Sequence, residues 1–215
     1  MGIQERREKQ KEALKGEILE AAIRLFTQHG FEATSIRKIA AEIEFSPTTI
    51  YLYYKDKLDI IYALHQEGFR LLGERFKTLG MVDEPFQRLK AMGRAYIHFS
   101  LEHKDFYELM FIMKDPLLHL KSPDEGKPDA CWEEGERTFK ALLDTIEACQ
   151  AKGYFKGQRL AEFALLVWST VHGLCTLSLH GHLDHVASLH EIEGREGAIV
   201  DSAFEQFVCL LDNMR

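Results

Sequence analysis

The sequence predicts an all-α protein of about nine helices, and three observations carry that expectation. Apolar residues recur at spacings of three and four, as in Ile18, Ala21, Ala22, Leu25 and Phe26, which places them on one face of a 3.6-residue helix. No segment shows the apolar–polar alternation of a half-buried strand. Pro47 and Pro85 open apolar segments, and the other three prolines share one polar stretch.

The first helix runs through Ile18–Phe26 and stops at Gly30. Thr34 and Ser35 offer an N-cap for a second, striped by Ile36, Ile39, Ala40 and Ile43. Ser46 caps a third, with Pro47 at its first position, where the missing N–H costs nothing. The break between these two short helices falls at Glu44–Phe45. A longer helix from Lys57 to about Lys77 carries Leu58, Ile61, Leu64, Phe69, Leu72 and Phe76. Pro85 begins the next, through Leu101, and a short aromatic helix follows with Phe106, Tyr107, Met110 and Phe111. Residues 114–129 read as a loop. Trp132 to Cys149 is helical again, and the run KGYFKG, residues 152–157, ends it. Leu160 to Leu179 is long and strongly apolar. Residues 180–197 form a polar linker with room for a helical turn, and Ile199 to Leu211 closes the order.

The bulk numbers narrow the class. The chain has 215 residues, 46% hydrophobic and 28% charged, ordinary for a globular protein. No apolar run approaches the roughly 18–20 residues of a membrane span. The first residues are too charged for a secretory signal, and Arg6 stands where N-myristoylation wants Ser or Thr. Cys131, Cys149, Cys175 and Cys209 are irregularly spaced in apolar segments. That suits reduced, buried thiols in a cytoplasmic protein rather than disulfides or a zinc knuckle. The net charge is −7, yet residues 1–59 hold ten basic and ten acidic side chains, so the excess acid lies beyond them. A neutral head on an acidic body is compatible with DNA binding when the head's cations share a face.

Two short helices around a tight turn, after a longer helix, have the outline of a helix-turn-helix. Ala40 is small where the two must approach, and Ile36, Ile39, Ile43, Phe45, Ile50 and Tyr53 or Tyr54 supply a little core. The second helix then presents Thr48, Thr49, Tyr51 and Leu52, hydroxyls and an apolar group suited to base edges and thymine methyls. Tyr53, Lys55, Lys57 and the helix N-terminus at Lys57 suit phosphate oxygens. A surface helix with locally packed tyrosines would show the same residue types.

Residues 30–61, GFEATSIRKIAAEIEFSPTTIYLYYKDKLDII, resemble the DNA-binding head of TetR-type transcriptional regulators. The resemblance rests on Gly30–Phe31, Thr34–Ser35, Ile39–Ala40, Ser46, Tyr51, Tyr53–Tyr54 and Lys57, and covers roughly residues 14–62. It implies a three-helix head at residues 1–56 on a C-terminal effector-binding and dimerisation body at residues 57–215. It implies that Thr48, Thr49, Tyr51 and Leu52 face bases. It further implies that Thr34, Tyr53 and Lys57 hold the DNA backbone, with Arg37 near either and Ser35 and Ser46 capping the two helices. Two positions depart from the pattern: Glu44 stands where the family usually has glycine, and Thr48 where it often does. A non-glycine residue in a left-handed turn costs on the order of 1 kcal/mol. The stretch VWSTVHGL, residues 167–174, is similar to a Trp-His-Gly signature in the penultimate helix of one subgroup.

Ahead of the head, Arg6, Arg7, Lys9, Lys11 and Lys15 are interleaved with acids, which reads as a solvated helix extension rather than a DNA-reaching arm. One head cannot hold a duplex, and two heads must sit about one helical turn apart, roughly 34 Å. The body is therefore expected to form a homodimer through its last two long helices, with Trp168, Val171, Gly173, Cys175, Phe204, Phe207, Val208 and Leu211 as the candidate interface. The last helix has two apolar stripes: Ile199, Ala203, Phe207 and Leu210 on one, Val200, Phe204, Val208 and Leu211 on the other. One suits the body and the other a second subunit.

Large adaptable side chains with sparse polar anchors suggest a pocket for a small hydrophobic or amphipathic effector. The candidates are Tyr96, Phe99, Tyr107, Met110, Phe111, Trp132, Phe139, Trp168 and His172, with residues 114–129 as a cover. Effector binding would tilt the helix that begins at Lys57 and release a palindromic operator, ligand and DNA weakening each other by typically about 1–3 kcal/mol. An effector-independent DNA-binding protein is the nearest alternative. An enzyme built on His172 and Cys175 lacks an orienting group. His180, His182, His185 and His190 match no metal-site spacing. No cofactor, metal or membrane is expected.

Overall fold

The computed structural model describes residues 2–113, 133–190, 192 and 198–215. These residues form ten α-helices and one π-helical turn, with no strand among them. The helices are α1 (Ile3–His29), α2 (Ile36–Glu42), α3 (Pro47–Tyr51), α4 (Lys57–Leu79), α5 (Pro85–Glu102), α6 (Lys104–Tyr107), α7 (Glu133–Ala151), α8 (Leu160–Leu179), α9 (His182–Leu189) and α10 (Ile199–Asp212). The π turn, Glu108–Ile112, follows α6 directly. The expected cover at residues 114–129, with Cys131 and Trp132, lies outside the described residues.

Helix α1 starts near the N-terminus and carries the basic stretch from Arg6 to Lys15 as the expected solvated helix extension, its side chains exposed or half-exposed. One difference from the sequence expectation concerns the polar linker, which holds a full helix, α9, rather than a single turn. Helix α8 also departs from expectation, being long and apolar enough, by length and composition, to cross a bilayer. One face of it packs on α5, α9 and α10.

The chain divides into two compact units, residues 1–68 with 105–133 and residues 69–104 with 134–215. The expected partition between residues 56 and 57 falls inside the first unit. That unit's core gathers Ile18, Ala22, Phe26, Phe31, Ile39, Ile50 and Ile61, and it includes Leu109 from the π turn. Gly68 permits this docking, because a Cβ at that position would overlap Met110 Sδ, which is itself buried. His65 packs in the same place, 1% exposed, with a hydrogen bond to the Leu109 backbone. Burial lowers its pKa to about 4, the Leu109 bond opposing only in part.

The second unit is built around α5 and α8, with α10 packed on both. Its core includes Phe86, Leu89, Met92, Ile97, Phe99, Phe163, Val167, Val171 and Phe204. Gly93 lets α10 approach α5, since a Cβ there would stand 2.5 Å from the Phe204 ring. Between α7 and α8 the run KGYFKG turns on Phe155, at φ 54°, whose N–H donates to the Met214 carbonyl at 2.8 Å.

The α2–α3 turn is a left-handed C-cap. Phe45 N–H donates to the Ala40 carbonyl at 2.9 Å and Glu44 N–H to Ala41 at 3.2 Å, with Glu44 at φ 58°. Glycine favours this position, so Glu44 carries the strain. Relief of about 1–2 kcal/mol, less about 0.5–1 kcal/mol of added chain entropy, sets the expectation for Glu44→Gly. It should stabilise the first unit by about 0.5–1 kcal/mol, measured by denaturant unfolding. A second expectation concerns pH. His65 is neutral in the fold and titrates near 6.5 when unfolded, so its contribution is complete above pH 6.5 and is lost as pH falls toward 4. The loss should be on the order of 3 kcal/mol, and Glu or Asp titrations aside, His65→Gln should remove that part of the pH dependence in unfolding experiments.

Candidate nucleic-acid interface

The recognition candidate is α3, and its presentation follows from one cap, one proline and one anchor. Ser46 Oγ accepts from the Thr49 N–H at 3.2 Å, and Pro47 supplies a helical φ at N1. Ile50 is fully buried and bolts the helix to the core. The opposite side is open: Thr48 is exposed, Tyr51 is 55% exposed and Leu52 76%. Thr49 is half-buried, its hydroxyl sharing a 3.0 Å hydrogen bond with Ser46 Oγ. A leucine and a tyrosine left in water beside hydroxyls form a surface able to meet base edges and methyls.

Around α3 the cations are exposed at Arg37, Lys38 and Lys55, with Tyr53 half-exposed. Ser35 caps α2, accepting from Lys38 N–H at 3.3 Å. The start of α4 is capped in both directions, since Asp56 accepts from Asp59 N–H and Asp59 from Lys55 N–H, each at 2.9 Å. Lys57 is half-buried, its ammonium donating to the Phe31 carbonyl at 2.6 Å and lying 3.9 Å from the centre of the Phe31 ring. Tyr54 is buried, and its phenol is pushed up to about 12 by burial first and then by Asp59 and Glu12.

Thr34 corrects the expectation that it grips the DNA backbone. It is 1% exposed, and its hydroxyl donates within the head, to the carbonyls of Leu25 (3.1 Å) and Gly30 (2.9 Å). It satisfies carbonyls at the end of α1, a buried role that its position beside the Ser35 cap concealed.

In the second unit, Tyr96, Phe139, Trp168 and His172 come together. Trp168 Nε1 donates to Tyr96 Oη at 3.2 Å, and Tyr96 Oη lies 3.1 Å from His172 Nδ1. The Phe139 ring meets Trp168 edge-on at 6.1 Å. Burial lowers the His172 pKa, which keeps the ring neutral and able to accept from Tyr96. Phe99 is fully buried and packs on His103. Tyr107 and Met110 are buried in the first unit, with Phe111 beside Tyr107. The nine candidate pocket residues are therefore not one described cluster, and Trp132 lies outside the described residues.

A cleft that the residue patterns did not suggest opens in the second unit between α4, α5 and α7, about 490 Å³ in volume. Arg70, Phe76, Lys77, Arg88, Met92 and Thr145 are among the residues lining it. The one signal for it in the sequence is Arg88, set between the apolar pairs Pro85–Phe86 and Leu89–Met92.

The candidate dimer residues also divide. Val171, Cys175, Phe204, Val208 and Leu211 are buried within the second unit and so are not available to a second subunit. The other stripe of α10 faces outward, with Ile199, Ala203 and Phe207 half-buried and Leu210 66% exposed. On α8 the outward apolar groups are Leu165, Leu166 and Leu177, which the candidate set lacked, while Trp168 and Gly173 are half-exposed. Burial pushes the Cys175 thiol up to about 11 and Cys149 to about 12, the opposite of an activated nucleophile. Among the described residues no three His, Cys, Asp or Glu side chains come together to hold a metal.

Comparison with known proteins matches residues 18–64 to the model for bacterial regulatory proteins of the tetR family, and residues 89–193 to the tetracyclin repressor-like C-terminal domain. The chain is 33% identical over 106 residues to an uncharacterized HTH-type transcriptional regulator of Bacillus subtilis, covering 47% of this chain and 34% of that one. It is 33% identical over 93 residues to a probable acrEF/envCD operon repressor of Escherichia coli, covering 40% of this chain and 42% of that one. The chain thus spans well under half the length of the curated relatives it matches. A tetR-family regulatory protein from Rhodococcus shares the fold at a TM-score of 0.70 and 22% identity, over 93% of this chain and 95% of that one.

Proposed function

The chain belongs to the TetR family of DNA-binding transcriptional regulators, and on that premise we propose a repressor that binds a palindromic operator as a homodimer and releases it on binding a small apolar or amphipathic effector. The observation that carries the DNA reading is α3: a five-residue helix anchored by a fully buried Ile50 while Thr48, Tyr51 and Leu52 stand in solvent. Those three side chains read bases. Arg37, Tyr53, Lys55 and Lys57 hold phosphates, Thr34 being spent inside the head. The Escherichia coli relative is a probable operon repressor, which favours repression here.

Dimerisation is supported by the outward faces of α8 and α10, whose exposed leucines a second copy would cover. An isologous contact of that kind fixes two heads on half-sites about one helical turn apart, roughly 34 Å. The effector reading is supported by the hydrogen-bonded Tyr96–Trp168–His172 cluster and by the cleft in the second unit. Helix α4 runs through both units, which makes it the element able to carry an effector's influence to the head. A cytoplasmic location goes with this work.

The decisive experiment is selection of bound sequences from random DNA. A winning site with two inverted half-sites one turn apart supports the reading, and failure to enrich any site sinks it. On that site, Thr48→Ala is expected to weaken binding by about 1–3 kcal/mol and relax preference at one base pair per half-site. Lys57→Gln should instead weaken all sequences alike and make the salt slope shallower by about 0.9 for each phosphate no longer neutralised. Leu210→Glu is expected to yield a folded monomer in sedimentation that has lost specific operator binding.

A further inference from the structure

We infer that the opening turns of α1, Gln4 to Ala13, form a second DNA-contacting surface, with Arg7 and Lys11 on the phosphate backbone just outside the half-site that α3 reads. The inference rests on the DNA reading of the head given above and extends it to a stretch outside the helix-turn-helix. Every residue from Gln4 to Ala13 is exposed, and Leu14 is the first described side chain of α1 to pack on the head core. The free part is about 15 Å long, the rise of about four base pairs. A helix that is polar all round gains nothing from burial and is commonly held by ion pairs between its turns. Here Arg6, Arg7, Lys9 and Lys11 make no ion pair with any described residue.

Acids and bases are interleaved along this stretch, but the helix separates them. Glu5, Glu8 and Glu12 recur at spacings of three and four and share one face. Arg7 and Lys11, four apart, share another, and Arg6 with Lys9 a third. The Arg7–Lys11 face continues the buried stripe of α1, since Arg7, Lys11, Leu14, Ile18 and Leu25 follow at spacings of four, three, four and seven. Ile18 and Leu25 sit in the same core as Ile50, so this is the side of α1 on which α3 lies. Where the head's core ends, that side goes on as two cations. Two of the three acids are engaged: Glu5 accepts from the Gly2 N–H at 2.8 Å, and Glu12 pairs with Lys15 at 2.9 Å. Glu12 also stands near the turn between α3 and α4, where its charge helps to raise the pKa of the Tyr54 phenol. The root of the arm is thus next to the turn that carries Tyr53 and Lys55.

Size decides which part of the duplex the arm meets. A helix about 10–12 Å across does not enter a minor groove about 6 Å wide. The major groove of the half-site is taken by α3. What remains is the phosphate ridge beside it, a line of negative charge that a guanidinium and an ammonium four residues apart can follow. Contacts of that kind fix the protein's position on the duplex and carry no sequence information. The arm therefore adds affinity and footprint to each head, and its share is read in the length of the duplex and in its response to salt.

The test is fluorescence anisotropy of the full chain on two labelled duplexes that carry the selected operator. One ends at the half-sites, and the other continues at each end for about ten base pairs, one helical turn, of unrelated sequence. Wild type is expected to bind the longer duplex about tenfold more tightly or better at low salt, with a salt slope steeper by about 0.9 for each added phosphate contact. The double variant Arg7→Gln, Lys11→Gln should lose that gain and keep its affinity for the short duplex. The variant Arg6→Gln, Lys9→Gln removes the same charge from the other face and should keep most of the gain. Replacing the flanking sequence should leave the gain unchanged. Equal affinity of wild type for the two duplexes, or a gain that survives Arg7→Gln, Lys11→Gln, overturns the proposal. So does an equal loss in the two double variants, which marks net charge rather than contact, or a gain confined to one flanking sequence, which marks base reading. Failure of wild type to bind either duplex sinks the DNA reading and the arm with it, an outcome distinct from equal binding to both.

Discussion

A helix of five residues has no stability of its own in water, because nucleation alone fixes several dihedral angles for one hydrogen bond. Helix α3 exists because its neighbours impose it. Ile50 is enclosed by the head core, Ser46 satisfies an amide at its start, and the left-handed turn at Glu44 delivers the chain from α2 at a set angle. Successive helical residues are offset by about 100°. Rotating α3 by one position would therefore bury Tyr51 and expose Ile50. The outward set of Thr48, Tyr51 and Leu52 is thus a consequence of one buried isoleucine and one strained turn.

Each unit keeps its own core, and the partition does not follow chain order. The segment after α5 returns to the first unit, where Leu109 joins the same core as Ile50 and Phe26. The fit depends on Gly68, whose missing side chain leaves room for Met110. In the second unit Gly93 and Phe204 make the matching arrangement between α5 and α10. Both are cases in which backbone approach, rather than side-chain size, sets helix distance.

Much of this was legible in the residues. Gly30, the Ser35 and Ser46 caps, Pro47 and Pro85 marked boundaries because capping chemistry is local. The break at Glu44 was legible too, and the structure resolves its form as a left-handed residue. What stayed hidden was orientation. Helix α10 has two apolar stripes of similar strength, and no pattern within it says which one meets its own body. Thr34 and Ser35 are adjacent hydroxyls, yet one caps outward and the other bonds inward to carbonyls nine and four residues back. Nor does composition record that Tyr107, Met110 and Phe111 are grouped with the first unit while Tyr96, Phe139, Trp168 and His172 lie in the second.

Lys57 illustrates a different kind of order. A free lysine side chain sweeps many rotamers and holds about 2 kcal/mol of that freedom. Here the Phe31 carbonyl and ring together hold the ammonium before anything arrives. Of its three N–H bonds one is spent on the carbonyl, leaving two at a fixed address. An approaching anion meets a stationary charge, so the entropy of immobilising the chain has been surrendered during folding and is not subtracted at the moment of contact. The head thus holds one positive charge in a fixed place, set by a ring and a peptide carbonyl twenty-six residues away in the chain.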